Sequence, residues 1–284
     1  MTRAFRLHAR PGLARASAPP RPDQARLRAW AGAGLVVGSL LTLPAVLPAA
    51  WLAQAVSQAT DGRLQLAEAE GSWWNGSALP LLTGGPGSRD AAVLPSRLHW
   101  RLGLHWNGLS LTLSQPCCAA QPFTVRWLAG WRQNRIEVQT APGGALGQWP
   151  AAWLSGLGAP WNTLRPDGQL RLSSQGLVLT LQGGALSVQG LAQAELMQVS
   201  SRLVPLDSLG SYRLQLSGQA GGPARLNLQT LEGALQLQGQ GEWRGGRLRF
   251  QGQAQAAPGQ EPVLNNLLNI IGRRQGARSI ISIG

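Results

Sequence analysis

From Ala29 to Thr60 the chain carries no charged residue. A helix needs roughly 20 mostly apolar residues to cross the hydrocarbon core of a bilayer, and Ala29–Leu47 nearly fills that length. Arg21, Arg26 and Arg28 stand just before the stretch, and Asp61 and Arg63 are the next charges after it. Arginine accumulates on the cytoplasmic side of a first membrane segment. This pattern predicts a cytoplasmic tail over 1–28, a transmembrane helix with a short extension over 29–58, and an exported domain over 61–284. A cleaved signal peptide is the competing reading, because Ala45, Ala49 and Ala50 offer small residues near the end of the run. The tail and the apolar run are both long for that, so an uncleaved anchor is the expectation. Pro44 and Pro48 should bend or end the helix near its outer face.

The formal net charge of +13 resembles a nucleic-acid signal until it is divided. The tail to Arg28 holds seven Arg and one Asp, +6; the remainder holds eighteen Arg and eleven acids, +7, spread singly. A nucleic-acid footprint is clustered or sits on a known motif, so no nucleic-acid partner is expected. The tail, Pro/Arg/Ala-rich and without hydrophobic periodicity, is expected to be disordered. Its charge suits topology and anionic lipid.

Beyond Arg63 the apolar pattern has period two. Leu98, Trp100, Leu102 and Leu104 alternate with polar neighbours, and Leu109, Leu111 and Leu113 follow after Asn107-Gly108, a two-residue hairpin signal. Phe123, Val125 and Trp127, then Ile136 and Val138, repeat the alternation. Further strands are predicted at 169–174, 177–182, 185–189, 212–218, 224–230, 234–243 and 247–256, separated mostly by glycine. Short connections make neighbouring strands pair antiparallel in a meander. One face is Leu/Val/Phe and the other Gln/Ser/Arg, so one side packs and the other is wet. The fold class is therefore mainly β: one N-terminal transmembrane helix, then a curved antiparallel meander sheet with a short C-terminal helix. That helix is predicted over Pro262–Ile271, with Val263, Leu264, Leu267, Leu268 and Ile271 as its apolar stripe and Gly272 capping it in the left-handed conformation. A second short helix is predicted over Gln148–Leu157, and 84–90 reads as a mobile loop.

No catalytic, cofactor-binding or metal-ligating constellation emerges. His99 and His105 share a strand face with Arg101, which disfavours a metal, and Glu68 and Glu70 read as a polar contact on one strand. No phosphate loop or nucleophile elbow is present. Cys117 and Cys118 are adjacent; free thiols, a vicinal disulfide and intermolecular pairing all remain open. Twelve Trp against three Phe and one Tyr put tryptophan in the aromatic role, with core packing the expectation and a hydrophobic groove the alternative. Trp30 and Trp51 bracket the apolar span as interface anchors would.

Residues 71–78, Gly-Ser-Trp-Trp-Asn-Gly-Ser-Ala, resemble the signature of the type II secretion system protein N family through Gly71, Trp74, Gly76 and Ala78. The mid-chain segment resembles that family through Thr163, Leu164, Pro166, Gly168 and Leu170, and the ending through 267–284 with Gly272, Arg273 and Arg274. The resemblance covers about residues 30–284 in order. It implies a non-catalytic inner-membrane accessory subunit of the machinery that exports folded proteins, acting by protein–protein contact in the periplasm. It implies other inner-membrane and periplasmic secretion components as partners, and no enzyme activity, cofactor or small-molecule substrate. The alternative is a periplasm-facing lipid-handling protein with a curved, apolar-lined sheet.

Overall fold

A computed structural model of the chain describes residues 24–183, 185–219, 221–244 and 247–284. Of the expected basic tail, residues 1–23 lie outside the described residues. The charge-free stretch is helical, but as two helices, α1 (Gln24–Val46) and α2 (Ala49–Ala59). The break falls at Leu47-Pro48, because Pro48 has an extended backbone (φ −69°, ψ 154°) and its ring removes a helical donor. The helix and its short extension expected over 29–58 are thus separate elements, and the helix ends just before Pro48, where a proline was expected to bend or end it. The side chains of 39–45 lie outside the described residues. Among the described residues, no helix is long and apolar enough to cross a membrane. The chain divides at this break: α1 belongs to a compact unit ending at Val46, and everything from Leu47 onward forms a second.

The second unit is built on one 16-stranded antiparallel sheet. Its strands are β1 (Leu64–Gly71), β2 (Asn75–Thr83), β3 (Ala91–Val93), β4 (Leu98–His105), β5 (Gly108–Ser114), β6 (Phe123–Leu128), β7 (Asn134–Gln139), β8 (Ala145–Pro150), β9 (Pro166–Gln182), β10 (Ala185–Ser201), β11 (Gly210–Gly218), β12 (Ala224–Glu232), β13 (Leu235–Arg244), β14 (Arg247–Ala256), β15 (Arg273–Gln275) and β16 (Arg278–Ile283). Nearly all neighbours in sequence are neighbours in the sheet, as a meander requires. The exceptions are β3, which pairs with β2, β8, which pairs with β9, and the last two strands, where β16 lies inside β15. The sheet is open: β1 forms one edge and β15 the other.

Two expectations change. The strands predicted at 169–174 and 177–182 are one strand, β9. The register slips between Gln189 and Leu191 of β10, and Gly176, at φ +58°, takes up the extra residue of β9. Residues 148–150 close β8 instead of opening a helix, and a 3-10 helix occupies Ala151–Leu157. A short helix α3 (Trp161–Leu164) leads into β9.

The apolar face reads across the sheet in rows. Leu104, Leu109, Trp127, Ile136, Leu179 and Val188 sit side by side on six strands. Leu102, Leu111, Val125 and Val138 form the next row. In the second half Ala192, Leu216, Leu226, Gly241, Phe250 and Ile283 continue it. The glycines inside β13 and β14 make room for one ring: a Cβ on Gly239 or Gly241 would fall 2.4 or 3.0 Å from the Phe250 ring.

Two clusters are fully buried on that face. Helix α4 (Glu261–Ile271) lays Leu264, Leu267 and Leu268 onto Tyr212, Leu235 and Ala254, as its stripe predicts. Helix α2 lays Ala49 and Leu52 onto Ala78, Trp100 and Leu113. Both helices cover one end of the strands. That end also carries the 3-10 helix, α3 and the longer connections. The opposite end consists of short turns, β1–β2, β4–β5, β6–β7, β9–β10, β11–β12 and β13–β14.

Candidate functional site

The Trp-bearing motif forms the β1–β2 turn. Gly71 has φ +86°, and a Cβ there would lie 2.7 Å from the carbonyl oxygen of Asn75. A side chain at Gly76 would meet the Trp100 ring at 2.6 Å. Ala78 is fully buried beneath the same ring. Trp100 donates from its indole N–H to the Trp73 carbonyl (3.1 Å), and the Leu102 amide donates to the Trp74 carbonyl (2.6 Å). The Trp73 and Trp74 rings pack at 4.1 Å. The Trp73 amide donates to the Leu47 carbonyl, and Pro48 bridges to Ser72. The motif thus clamps the point where the chain enters the sheet. Small residues leave space, and one buried Trp fills it.

The mid-chain motif joins α3 to β9. Arg165 caps α3 in the left-handed region (φ +42°). Ser201 donates to the Leu164 carbonyl at 2.5 Å, and Pro166 is buried. Gly168, at φ +123°, would place a Cβ 2.6 Å from the Met197 carbonyl. It faces a bulge of β10 between Met197 and Ser200. At the chain's end Gly272 is extended (φ −165°), not the left-handed cap expected of it. Its lack of a side chain serves close approach instead, since a Cβ would lie 2.5 Å from the Ile280 carbonyl. Arg273 and Arg274 open β15, and Arg274 donates to Asn265 (2.8 Å). The three motifs therefore stand at three separate places and do not converge.

Cys117 and Cys118 are joined by a disulfide in the β5–β6 connection. The Gln148 amide donates to the Cys118 carbonyl (2.7 Å). Beside it buried Gln115 accepts from the Trp149 indole (2.8 Å) and donates to the Ser96 carbonyl (2.9 Å), which ties this connection to β8. Glu68 and Glu70 do meet one partner, Arg97, at 3.4 and 3.3 Å. Both carboxylates are mostly exposed, so each pair contributes at most about 1 kcal/mol. His105 contacts the Ser110 hydroxyl at 3.0 Å. Among the described residues no three His, Cys, Asp or Glu gather as metal ligands. A cleft of about 740 Å³ at the helical end is lined by Arg89, Arg165 and Arg202 and by Asp90, Asp167 and Asp207.

Core packing holds for fewer tryptophans than expected. Trp100 is buried and Trp73, Trp74, Trp149, Trp153, Trp161 and Trp243 are half-buried, whereas Trp106, Trp127 and Trp131 are exposed. What sequence reasoning missed is how little covers the apolar face: Leu104, Trp127, Ile136, Leu181 and Leu214 remain substantially open. Period-two alternation shows which residues share a face, but only the reach of α2 and α4 decides which of them are covered.

Residues 62–281, all but the last two residues of the sheet, match the family model described as type II secretion system (T2SS), protein N. The chain belongs to the type II secretion protein N family. No curated protein and no solved structure matches the chain. Membership carries a role in type II secretion and association with other components of that system. It also describes an accessory component, a kind of subunit generally without enzymatic activity.

Proposed function

We propose that this protein N chain is a non-catalytic, single-pass subunit of the secretion apparatus. Residues 29–47 cross the bacterial inner membrane, the N-terminus is cytoplasmic, and the sheet stands in the periplasm and works by contact. The charge-free run behind Arg21, Arg26 and Arg28 supports the anchor and its direction. The observation that carries the contact role is the open sheet. Each outer strand pairs on one side only, and the apolar rows between α2 and α4 are mostly half-buried, with Leu104, Trp127 and Ile136 exposed. Free strand edges and open apolar faces are the surfaces that add partner strands or seat partner side chains. Affinity capture of the tagged full chain from detergent-solubilised membranes is expected to retain inner-membrane and periplasmic secretion components. Capture that retains none of them overturns the reading.

The same apolar rows favour a second reading, a lipid-handling sheet. It predicts phospholipid co-purifying near one molecule per chain and displaced when Val125 or Leu111 is replaced by Asp. Contact alone predicts no retained lipid.

A further inference from the structure

The two ends of the strands differ in a way the secretion role does not require. At the turn end, the β4–β5 turn carries Trp106, 96% exposed, and the β6–β7 loop carries Trp131, wholly exposed. Leu104, Trp127 and Leu181, in the strand ends beneath these tips, are exposed as well. Register puts them together: Leu104 pairs with Leu109, Leu109 with Trp127, and Asn134 with Leu181. Solvent-facing tryptophans gathered at adjacent turns form an apolar patch that a monomer in water has no reason to keep.

The tips themselves are free of acids. In sequence the turns 105–108, 128–134 and 181–185 hold His105 and Arg132 and no carboxylate. Just behind them Glu137 is ion-paired with Arg135 (3.0 Å).

We propose that the turn end of the sheet docks on an anionic phospholipid bilayer surface, with Trp106 and Trp131 seated at the boundary between headgroups and acyl chains. Tryptophan is enriched at that depth because its ring is apolar and its N–H is polar. Arginine without nearby acids matches a negative headgroup layer. The inference rests on the membrane anchoring proposed above, which keeps this sheet beside a bilayer.

The test uses the full chain reconstituted in nanodiscs of phosphatidylethanolamine and phosphatidylglycerol. The difference in tryptophan emission between the native chain and Trp106→Phe/Trp131→Phe isolates the two tips, and Trp30→Phe isolates the anchor. Both tips are fully exposed, so circular dichroism of the double variant should match the native chain. Brominated acyl chains are expected to quench at least half of the tip emission, and acrylamide in the water to quench little of it. Replacing phosphatidylglycerol by phosphatidylcholine, or Arg132 by Gln, should cut the lipid quenching at least twofold. Tip emission quenched by acrylamide and not by brominated lipid overturns the docking proposal. Shielding that appears only when another secretion component is added also overturns it, and assigns the patch to a protein partner. If Trp30 is quenched by lipid and the tips are not, docking fails and the anchor stands. If Trp30 is not quenched either, the anchor reading has failed.

Discussion

At the scale of single residues, the family motif is a set of vacancies around one indole. Gly76 lies where any side chain would strike the Trp100 ring, and that ring is 3% exposed. Gly76→Val should therefore cost about 3 kcal/mol through overpacking, read from urea unfolding followed by tryptophan emission. Tyr212 tests a different force. It is buried, its hydroxyl donates to the Leu235 carbonyl (3.0 Å), and burial pushes its phenol well above the ordinary value of 10.0. A phenol raised in the folded state contributes fully below that ordinary value. Above it the unfolded chain releases the proton while the folded chain must keep it, so stability falls as pH rises past 10.0. Tyr212→Phe should lose about 1 kcal/mol at neutral pH, from the missing hydrogen bond. It should also flatten the alkaline fall, measured as the urea midpoint between neutral and alkaline buffers.

At the scale of elements, α4 and the first strands behave oppositely although both are amphipathic. Leu267 is buried by the C-terminal sheet, whereas Leu104 stands open at the end of β4. Leu267→Ala should cost about 3 kcal/mol through the cavity it leaves; Leu104→Ala should change stability by less than about 0.5 kcal/mol. Urea midpoints of the two variants, compared in one buffer, check the contrast. Both leucines occupy apolar positions of a regular pattern, so periodicity alone ranks them equally. Much of the pattern was legible: β14 spans the predicted 247–256, the stripe of α4 faces the core, and a two-residue hairpin joins β4 to β5, one residue earlier than read, with Trp106-Asn107 as the turn and Gly108 opening β5. The misreadings share one cause. Gly176 looks like a break between strands, but a glycine at positive φ also fits a bulge, and the partner strand decides between them. Gly272 looks like a helix cap, but it is needed for close approach to Ile280.

At the scale of the whole molecule, the sheet has one end carrying helices and long connections and one end of short turns tipped by Trp106 and Trp131. The anchored orientation predicts that protease added outside spheroplasts digests 60–284 and leaves the arginine-rich leader protected, followed by antibodies to a tag at each end. The reverse pattern would place the sheet in the cytoplasm. The open edges also have a consequence. The sheet does not close on itself, so β1 and the short β15 remain templates for strand addition. The ion pairs of Glu68 and Glu70 with Arg97 and the bulge between Ala67 and Glu70 make β1 a charged, irregular edge.

Read alone, the sequence was enough for the class of fold, the antiparallel meander, the C-terminal helix and the family, because these depend on the period of the apolar residues and on glycines spaced along the chain. Tertiary structure alone decided that most of the apolar face lies outside the two buried clusters, and which tryptophan is the buried pin and which stand exposed. Alternation specifies which side of a strand a residue takes. Coverage depends on how far two helices reach across sixteen strands, and that distance is a property of the packed chain, not of any local stretch.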